Sequence, residues 1–425
     1  MTTALALRIN ERLFYGWLML GVGGLGIFAS GPAQSFIFSV YLTPLSEGLQ
    51  LSHTSVSSAY AFATLLAAFG LPYTGRLIDR LGARKVMLGI SFLFGLAAIA
   101  FSTVQNLVML SLGFMLLRFL GQGSLMLSCN NLVSQWFSRQ RGFALSLMGL
   151  GFSLSIAVYP PLANWLIELV GWRESWIWLG LLTWLLLLPP ILAFVHSKPE
   201  SLGLQPDGKQ TDVVLSEQQR LMSDVNVGLT LQQALRTSAF WVLAGGMGTL
   251  SMLITALFFY QVPIFVNHGL DKQAAANLFS ITALSMVIFM PVHGRLLDRL
   301  PTHWMFAWAL LLTAASMVSI IFVDSIAMAM AYGVLFGMNN AALHTVISYV
   351  WPRYFGRKHL GSIQGAAQTI GVVGASIGPI PFGIAFDLFG SYSGALLIFA
   401  LQPLLLAVLV LLVRAPDLEA GTAQD

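Results

Sequence analysis

Apolar stretches of roughly twenty or more residues, parted by short polar or charged intervals, fill this chain almost from end to end. A segment crossing lipid must satisfy its own backbone N–H and C=O groups, so each stretch predicts a membrane-spanning α-helix. About twelve such spans are predicted. In the first half they cover 15–42, 54–75, 86–104, 107–137, 142–167 and 174–196. In the second half they cover 237–267, 273–293, 304–322, 326–352, 360–386 and 393–413. Several exceed the minimum length, which predicts tilt or extra turns outside the membrane. The one long polar interval, 197–236, is too short and too poor in apolar residues to fold alone. It predicts a cytoplasmic linker between an N-terminal bundle, 1–196, and a C-terminal bundle, 237–425, that ends in a short cytoplasmic tail. The first apolar run starts only at Tyr15 and is not followed by a small-residue cleavage site, so it reads as a retained helix.

Composition agrees with that pattern. Only 9% of the 425 residues are charged and 57% are hydrophobic, where a soluble domain carries about a quarter charged residues. Mean hydropathy is +0.79. The net charge of +4 could suggest nucleic acid, but the cations lie in short, spaced clusters rather than on one basic face. Cys129 is the lone cysteine, which excludes an internal disulfide framework and any CxxC site.

The same clusters set the expected orientation, because Lys and Arg accumulate on the cytoplasmic side. With the N-terminus inside and the spans alternating, all but three of the 21 Lys and Arg fall inside. Arg173 and Lys272 fall outside, and Arg118 lies within a span. Both termini are therefore expected in the cytoplasm.

The densest cluster is "GRLIDRLGARK" at 75–85, between spans two and three, and "GRLLDRL" returns at 294–300. At nearly the same offset "WFSRQRG" at 136–142 meets "YFGRKHLG" at 354–361. Repeats of this kind mark secondary transporters, whose sites lie near the midplane between repeats. The second copy of the first string is degraded: Pro301 stands for Gly82, and His303 and Trp304 for Arg84 and Lys85. The cations alone would serve as orientation signals, but Gly75, Asp79 and Gly82 ask for more.

As a whole the string resembles the signature loop of the major facilitator superfamily, and the likeness extends over the chain. The resemblance implies an all-α membrane protein of twelve transmembrane helices in two six-helix, pseudo-symmetric bundles, moving a solute by alternating access. It implies that Asp79 faces the first turn of a helix in the opposite half, near Leu360, where an anion meets the positive end of a helix dipole. Gly75, Asp79, Arg80, Gly82 and Arg84, with Asp298 and Arg299 of the second copy, would then form a conformational gate. "YGW" at 15–17, "WFSRQRGFALSLMGLG", "YFGRKHLGSIQG" and "PESLGLQPDG" are similar to the oxalate/formate antiporter and monocarboxylate porter branch. That branch binds carboxylates with cations on spans one, eight or eleven, and here those spans hold no Lys or Arg below the membrane surface.

Ionisable residues at membrane depth are functional candidates by default. Arg118, in "MLLRFLGQGS" on span four, would attract an anionic group or govern proton coupling. It could instead be a structural cation held by carbonyls beside Gly121 and Gly123. His344 on span ten would titrate near neutrality, or simply bond a neighbouring helix. With no Asp or Glu near mid-membrane, the cavity favours an anion or a neutral solute over a cation or metal. Further candidates are Gln34 after the Gly31–Pro32 pair, Asn130 and Asn131, Asn339 and Asn340, Tyr260 and Gln261, and Gln364 with Gln368 one turn apart. Each could equally be a helix-to-helix tie. Phe36, Phe38, Tyr60 and Trp241 would supply apolar walls. "GVGGLG" at 21–26 and "GVVGASIGPIPFG" at 371–383 would let helices approach closely.

These features predict a secondary active transporter for a small monocarboxylate-like anion, working by proton symport or anion exchange. No Walker A string and no HExxH are present, which argues against an ATPase or a metalloenzyme. Export of neutral or drug-like solutes is the alternative, and a transporter-like sensor is a third. No cofactor and no metal are expected. The expected partners are a small-molecule substrate and membrane lipid, with no nucleic acid, and the expected oligomeric state is a monomer. A cytoplasmic (inner) membrane is the expected location.

Overall fold

Helices dominate because the apolar runs contain few interruptions, and where helices begin the sequence supplies caps. In the computed structural model, residues 10, 13–137, 141–205, 228–356, 360–413 and 416 are described. Ser52, Asn106, Thr237 and Ser325 each accept a backbone N–H three residues on, at the starts of His53–Leu81, Leu107–Leu117, Ser238–Asn267 and Ile326–Phe355. Such caps satisfy donors a helix N-terminus otherwise leaves open. Thr230 and Gln233 make a reciprocal capping box on the short helix Leu231–Leu235.

Among the described residues, ten helices are long and apolar enough to cross a membrane. One of them, Phe143–Phe194, holds two spans joined at Gly171, whose φ of +84° breaks the helical run. The first span is itself broken into Gly16–Ala29, Gly31–Ala33 and Ser35–Leu49. Counted this way, the described residues contain the twelve spans expected. After span one come span two (His53–Leu81), span three (Ala83–Phe101) and span four (Leu107–Trp136). Spans five and six lie within Arg141–Phe194. Spans seven to ten are Ser238–Asn267, Lys272–Arg299, Thr302–Ser319 and Ile326–Phe355. Span eleven is Leu360–Ile377 followed by Pro379–Phe389, and span twelve is Ser393–Leu412. Large apolar side chains such as Phe69, Leu185, Leu388 and Leu412 are exposed on the helices, as lipid-facing surfaces require.

Two compact units emerge: Met1–Thr211 with Lys272–Ser280, and Asp212–Asp271 with Ile281–Asp425. Residues 206–227, the middle of the expected linker, lie outside the described residues.

Within the first unit, Phe38, Phe101, Phe114 and Trp176 form an aromatic core, with Phe101 and Trp176 ring centroids 4.5 Å apart. Spans one and five touch backbone to backbone, because a Cβ at Gly151 would collide with the Gly24 carbonyl. In the second unit Gly374 stands in the same relation to Gly248, and Gly378 to Met252. The glycine-rich strings of the sequence thus serve close helix approach in both units.

The charged string 75–85 is less of a loop than its polarity suggests. Arg76, Asp79 and Arg80 ride the last turns of span two, and Arg84 and Lys85 open span three. The turn contracts to Gly82, whose φ of +80° is a conformation that favours glycine. In the second copy Pro301, at φ −58°, begins span nine instead. Arg84 ties the start of span three to the end of span six: its backbone N–H donates to Ser197 Oγ and its guanidinium to the Leu192 carbonyl at 2.6 Å. A cation at a helix C-terminus is favourable.

Candidate functional site

The clearest constellation begins with two helix defects. In span one, Pro32 lacks an N–H and Gln34 is extended at φ −90°, ψ 154°. The Ile37 N–H bonds to the Gln34 carbonyl at 3.2 Å, which frees the carbonyl of Ala33. In span four, Arg118–Leu125 winds as a π-helix between two α-helical segments, and such bulges concentrate at functional sites.

Arg118 stands at the start of that π-helical stretch and is only 4% exposed. Its NH1 donates to the freed Ala33 carbonyl at 3.2 Å, and its Nε to Thr64 Oγ1 at 3.1 Å. The guanidinium carbon lies 4.8 Å from the centre of the Tyr60 ring, within cation–π range. Tyr60 and Thr64 are one turn apart on span two and so share a face. Among the described residues no carboxylate pairs with Arg118. Its partners Ala33, Thr64 and Tyr60 are neutral, so the site retains a full positive charge. A guanidinium has five N–H donors in a planar fork suited to carboxylate, and Ala33 and Thr64 engage two of them.

Gln34 belongs to the same place. It is buried, and its Nε2 donates to Ser30 Oγ at 3.0 Å and approaches Met126 Sδ at 3.5 Å, across to span four. Spans one, two and four of the first unit therefore converge on Arg118. Asn130, three turns further along span four, is exposed, and Asn131 is half-buried.

The candidates of the second unit are distributed differently. Asn339 Oδ1 accepts from Thr313 Oγ1 at 2.9 Å and its Nδ2 reaches Ser316 Oγ at 3.5 Å, tying span ten to span nine. Asn340 Nδ2 donates to the Phe336 carbonyl in its own helix. His344, one turn beyond Asn340, is exposed. Tyr260 is buried against Tyr392 and Phe382, with centroids 5.0 and 6.1 Å away. Gln364 is half-buried and Gln368 exposed, on one face of span eleven.

For the gate, Gly75 and Gly82 are half-buried and Arg80 and Arg299 exposed. The side chains of Asp79 and Asp298, and residues 357–359 ahead of span eleven, lie outside the described residues. Thr64 and the Ala33 carbonyl are site groups that sequence reasoning missed. Gly31–Pro32 was the available signal for the freed carbonyl, and the one-turn spacing of Tyr60 and Thr64 for the shared face.

The family model described as Major Facilitator Superfamily matches residues 23–268 and 249–424. Human monocarboxylate transporter 6 is 28% identical over 287 residues, 64% of this chain and 55% of that protein. The oxalate:formate antiporter of Oxalobacter formigenes is 26% identical over 239 residues, 55% of this chain and 51% of that protein. The matches thus span about half the length of these relatives. A solved bacterial homologue of the human lysosomal transporter Spinster superposes with a TM-score of 0.68 at 13% identity, covering 95% of this chain and 97% of that one.

Proposed function

The chain belongs to the Major Facilitator Superfamily, and from that premise we propose that it carries a small monocarboxylate-like organic anion across the cytoplasmic membrane by alternating access. Proton symport or anion exchange supplies the driving force. The observation that carries this reading is Arg118, a buried cation whose partners are neutral and whose planar fork suits a carboxylate. An isolated charge at membrane depth is costly. An arriving carboxylate would relieve that cost, and this makes binding of an anion favourable without a second protein cation. Arg is always protonated, so it holds the anion or tunes its neighbours rather than carrying the proton.

The names of the relatives in the comparison support the same substrate class. The missing cations of spans one, eight and eleven then mean that this chain holds its anion from span four instead. In this reading 1–196 and 237–425 act as the two bundles, 197–236 links them on the cytoplasmic side, and the charged string around Asp79 latches one state of the cycle. Both termini face the cytoplasm.

Uptake of radiolabelled lactate, pyruvate, formate and oxalate into proteoliposomes, with and without a pH gradient, tests the proposal. Saturable uptake of at least one acid, reduced about 100-fold or more in Arg118→Gln, is expected from loss of two charge-assisted hydrogen bonds and the charge itself. Uptake indifferent to Arg118→Gln would make the arginine structural. Absence of uptake for every acid would direct attention to neutral solutes and drug-like compounds.

A further inference from the structure

We propose that the charged string 75–85, with the face of span two that leads into it, binds an anionic phospholipid. Its phosphate rests on Arg76, Arg80 and Lys85, and its acyl chains lie along Phe62, Leu66, Phe69 and Tyr73. The proposal rests on the cytoplasmic placement of the string given above and on nothing about the carried solute.

Helix geometry sets the face. Residues 62, 66, 69, 73, 76 and 80 follow one another at alternating steps of four and three, so they form one narrow stripe along span two. Phe62, Leu66, Phe69 and Tyr73 are between 40 and 81% exposed, although each is large and apolar or aromatic. Arg76 and Arg80 continue the stripe and are exposed too. Packing occupies another side of the same helix: a Cβ at Gly70 would meet the Phe119 ring, and the hydroxyls of Thr74 and Ser124 bond at 2.9 Å. From Phe62 to Tyr73 the stripe runs about 16 Å, close to the roughly 15 Å of hydrocarbon in one leaflet. Apolar residues, then a tyrosine, then cations is also the order in which a membrane passes from acyl chain to headgroup.

The headgroup end is basic and open. The Arg84 guanidinium is spent on the Leu192 carbonyl, but Arg76, Arg80 and Lys85 are exposed. Four cations stand in this string against one acid, Asp79. Two guanidinium groups one turn apart suit a phosphate. A zwitterionic headgroup would bring its own cation to this cluster, whereas an anionic one brings none.

The internal repeat supplies a control within the same chain. Ile288, Val292, Arg295 and Arg299 of span eight take the repeat positions of Phe69, Tyr73, Arg76 and Arg80, and all four are exposed. Leu284 extends that stripe. Here, however, two cations stand against Asp298, valine replaces the tyrosine, and His303 and Trp304 replace Arg84 and Lys85. The second copy keeps the apolar face and loses the surplus charge, so the first copy is the lipid site.

Native mass spectrometry of the full chain in detergent, titrated with dioleoylphosphatidylglycerol or dioleoylphosphatidylcholine, reads the site without any transport. Wild type is expected to hold one phosphatidylglycerol at least about tenfold more tightly than phosphatidylcholine. Arg76→Gln with Arg80→Gln should abolish that preference, while Arg295→Gln with Arg299→Gln should change it less than about twofold. Lys85→Gln should lower it about fivefold, and decides the matter if the double variant does not fold. Absence of a preference in wild type, an equal loss from both arginine pairs, or no change in Lys85→Gln overturns the site. Phe69→Asn with Tyr73→Asn should weaken the dioleoyl lipid but not its dihexanoyl analogue, and an equal effect on both overturns the acyl stripe. No step involves uptake, so the carboxylate reading fails or stands separately. Because Cys129 is buried, an impermeant maleimide on Lys85→Cys reads the leaflet. Labelling from the cytoplasmic side alone is expected, and labelling from outside overturns that placement.

Discussion

The first helix of each half of the chain makes the most instructive contrast. Span one is interrupted at Gly31–Ala33, whereas span seven runs unbroken for 30 residues. The same contrast recurs in the fourth helix of each half. Span four contains the π-helical stretch Arg118–Leu125, while span ten is an uninterrupted α-helix from Ile326 to Phe355. Irregular backbone at membrane depth survives only where protein or a cavity covers it. The first half uses that irregularity to free a carbonyl, and the freed carbonyl holds a cation. In the second half spans seven and ten are not interrupted in this way, and Asn339 and Asn340 of span ten are neutral amides bonded within the unit. The buried cation and the neutral amide ties thus fall in different halves of the chain.

The largest expected effect breaks that division. Arg118→Lys keeps the charge but replaces the planar fork with a compact ammonium that cannot reach Ala33 and Thr64 while presenting two parallel donors. Uptake of the transported acid is expected to fall about 100-fold, close to the Gln variant. In the second half Asn339→Ala should cost about 1–2 kcal/mol of stability through the lost tie to Thr313 and Ser316, with uptake falling far less. Initial rates and thermal melts of the two variants, measured together, check the contrast. Comparable losses of uptake would dissolve it.

Much of this architecture was legible in the sequence and some of it was not, for reasons that differ by residue. Hydropathy found the spans because lipid imposes one rule on every segment, and "GP" at 31–32 marked the interruption because proline removes a donor wherever it stands. Arg118 stood out because charge is rare in such runs. Its partners did not, because Thr64 is an ordinary hydroxyl until the register of spans two and four brings it within 3.1 Å. The π-helical winding of "RFLGQGSL" has no sequence period of its own at this length. Asn339 and Gln261 look alike in the chain, and only packing distinguishes an amide bonded to span nine from a buried one with no hydrogen-bond partner among the described residues. The polarity of 75–85 suggested a loop where the helices continue almost to contact, since one glycine suffices for the turn.

Where the halves are alike, equal effects are expected. Gly151 lies against the Gly24 carbonyl in the first unit, and Gly374 against the Gly248 carbonyl in the second. Backbone cannot yield as a side-chain tip can, so Gly151→Leu and Gly374→Leu should each destabilise by roughly 1–3 kcal/mol. Chemical unfolding in detergent would sharpen the comparison if the two values agree. A large loss at one position and none at the other would show that only one unit depends on close helix approach.

The smallest expected effect concerns one end of each unit. In the first, Tyr15 donates to the Phe194 carbonyl, Trp136 donates to the His196 carbonyl at 2.9 Å, and the Tyr15 and His196 rings meet edge to face at 5.8 Å. In the second, Phe240 packs on Trp351 and Phe355 with rings alone. Burial, and then the neighbouring Arg84 guanidinium, hold the His196 pKa below its usual 6.5. The unfolded chain therefore binds a proton that the folded chain resists. The stabilisation from neutral His196 is complete above about pH 6.5 and is lost as the pH falls through that value. Because the ring is partly exposed, solvent screens the effect and the loss is modest. His196→Phe should keep the edge-to-face packing and flatten the decline of Tm between about pH 7 and pH 5. An equally steep decline in the variant would move the acid sensitivity away from this cluster. The ring-only cluster of Phe240, Trp351 and Phe355 has no side chain that titrates in that interval, so Phe240→Leu should lower Tm by a similar amount at both pH values.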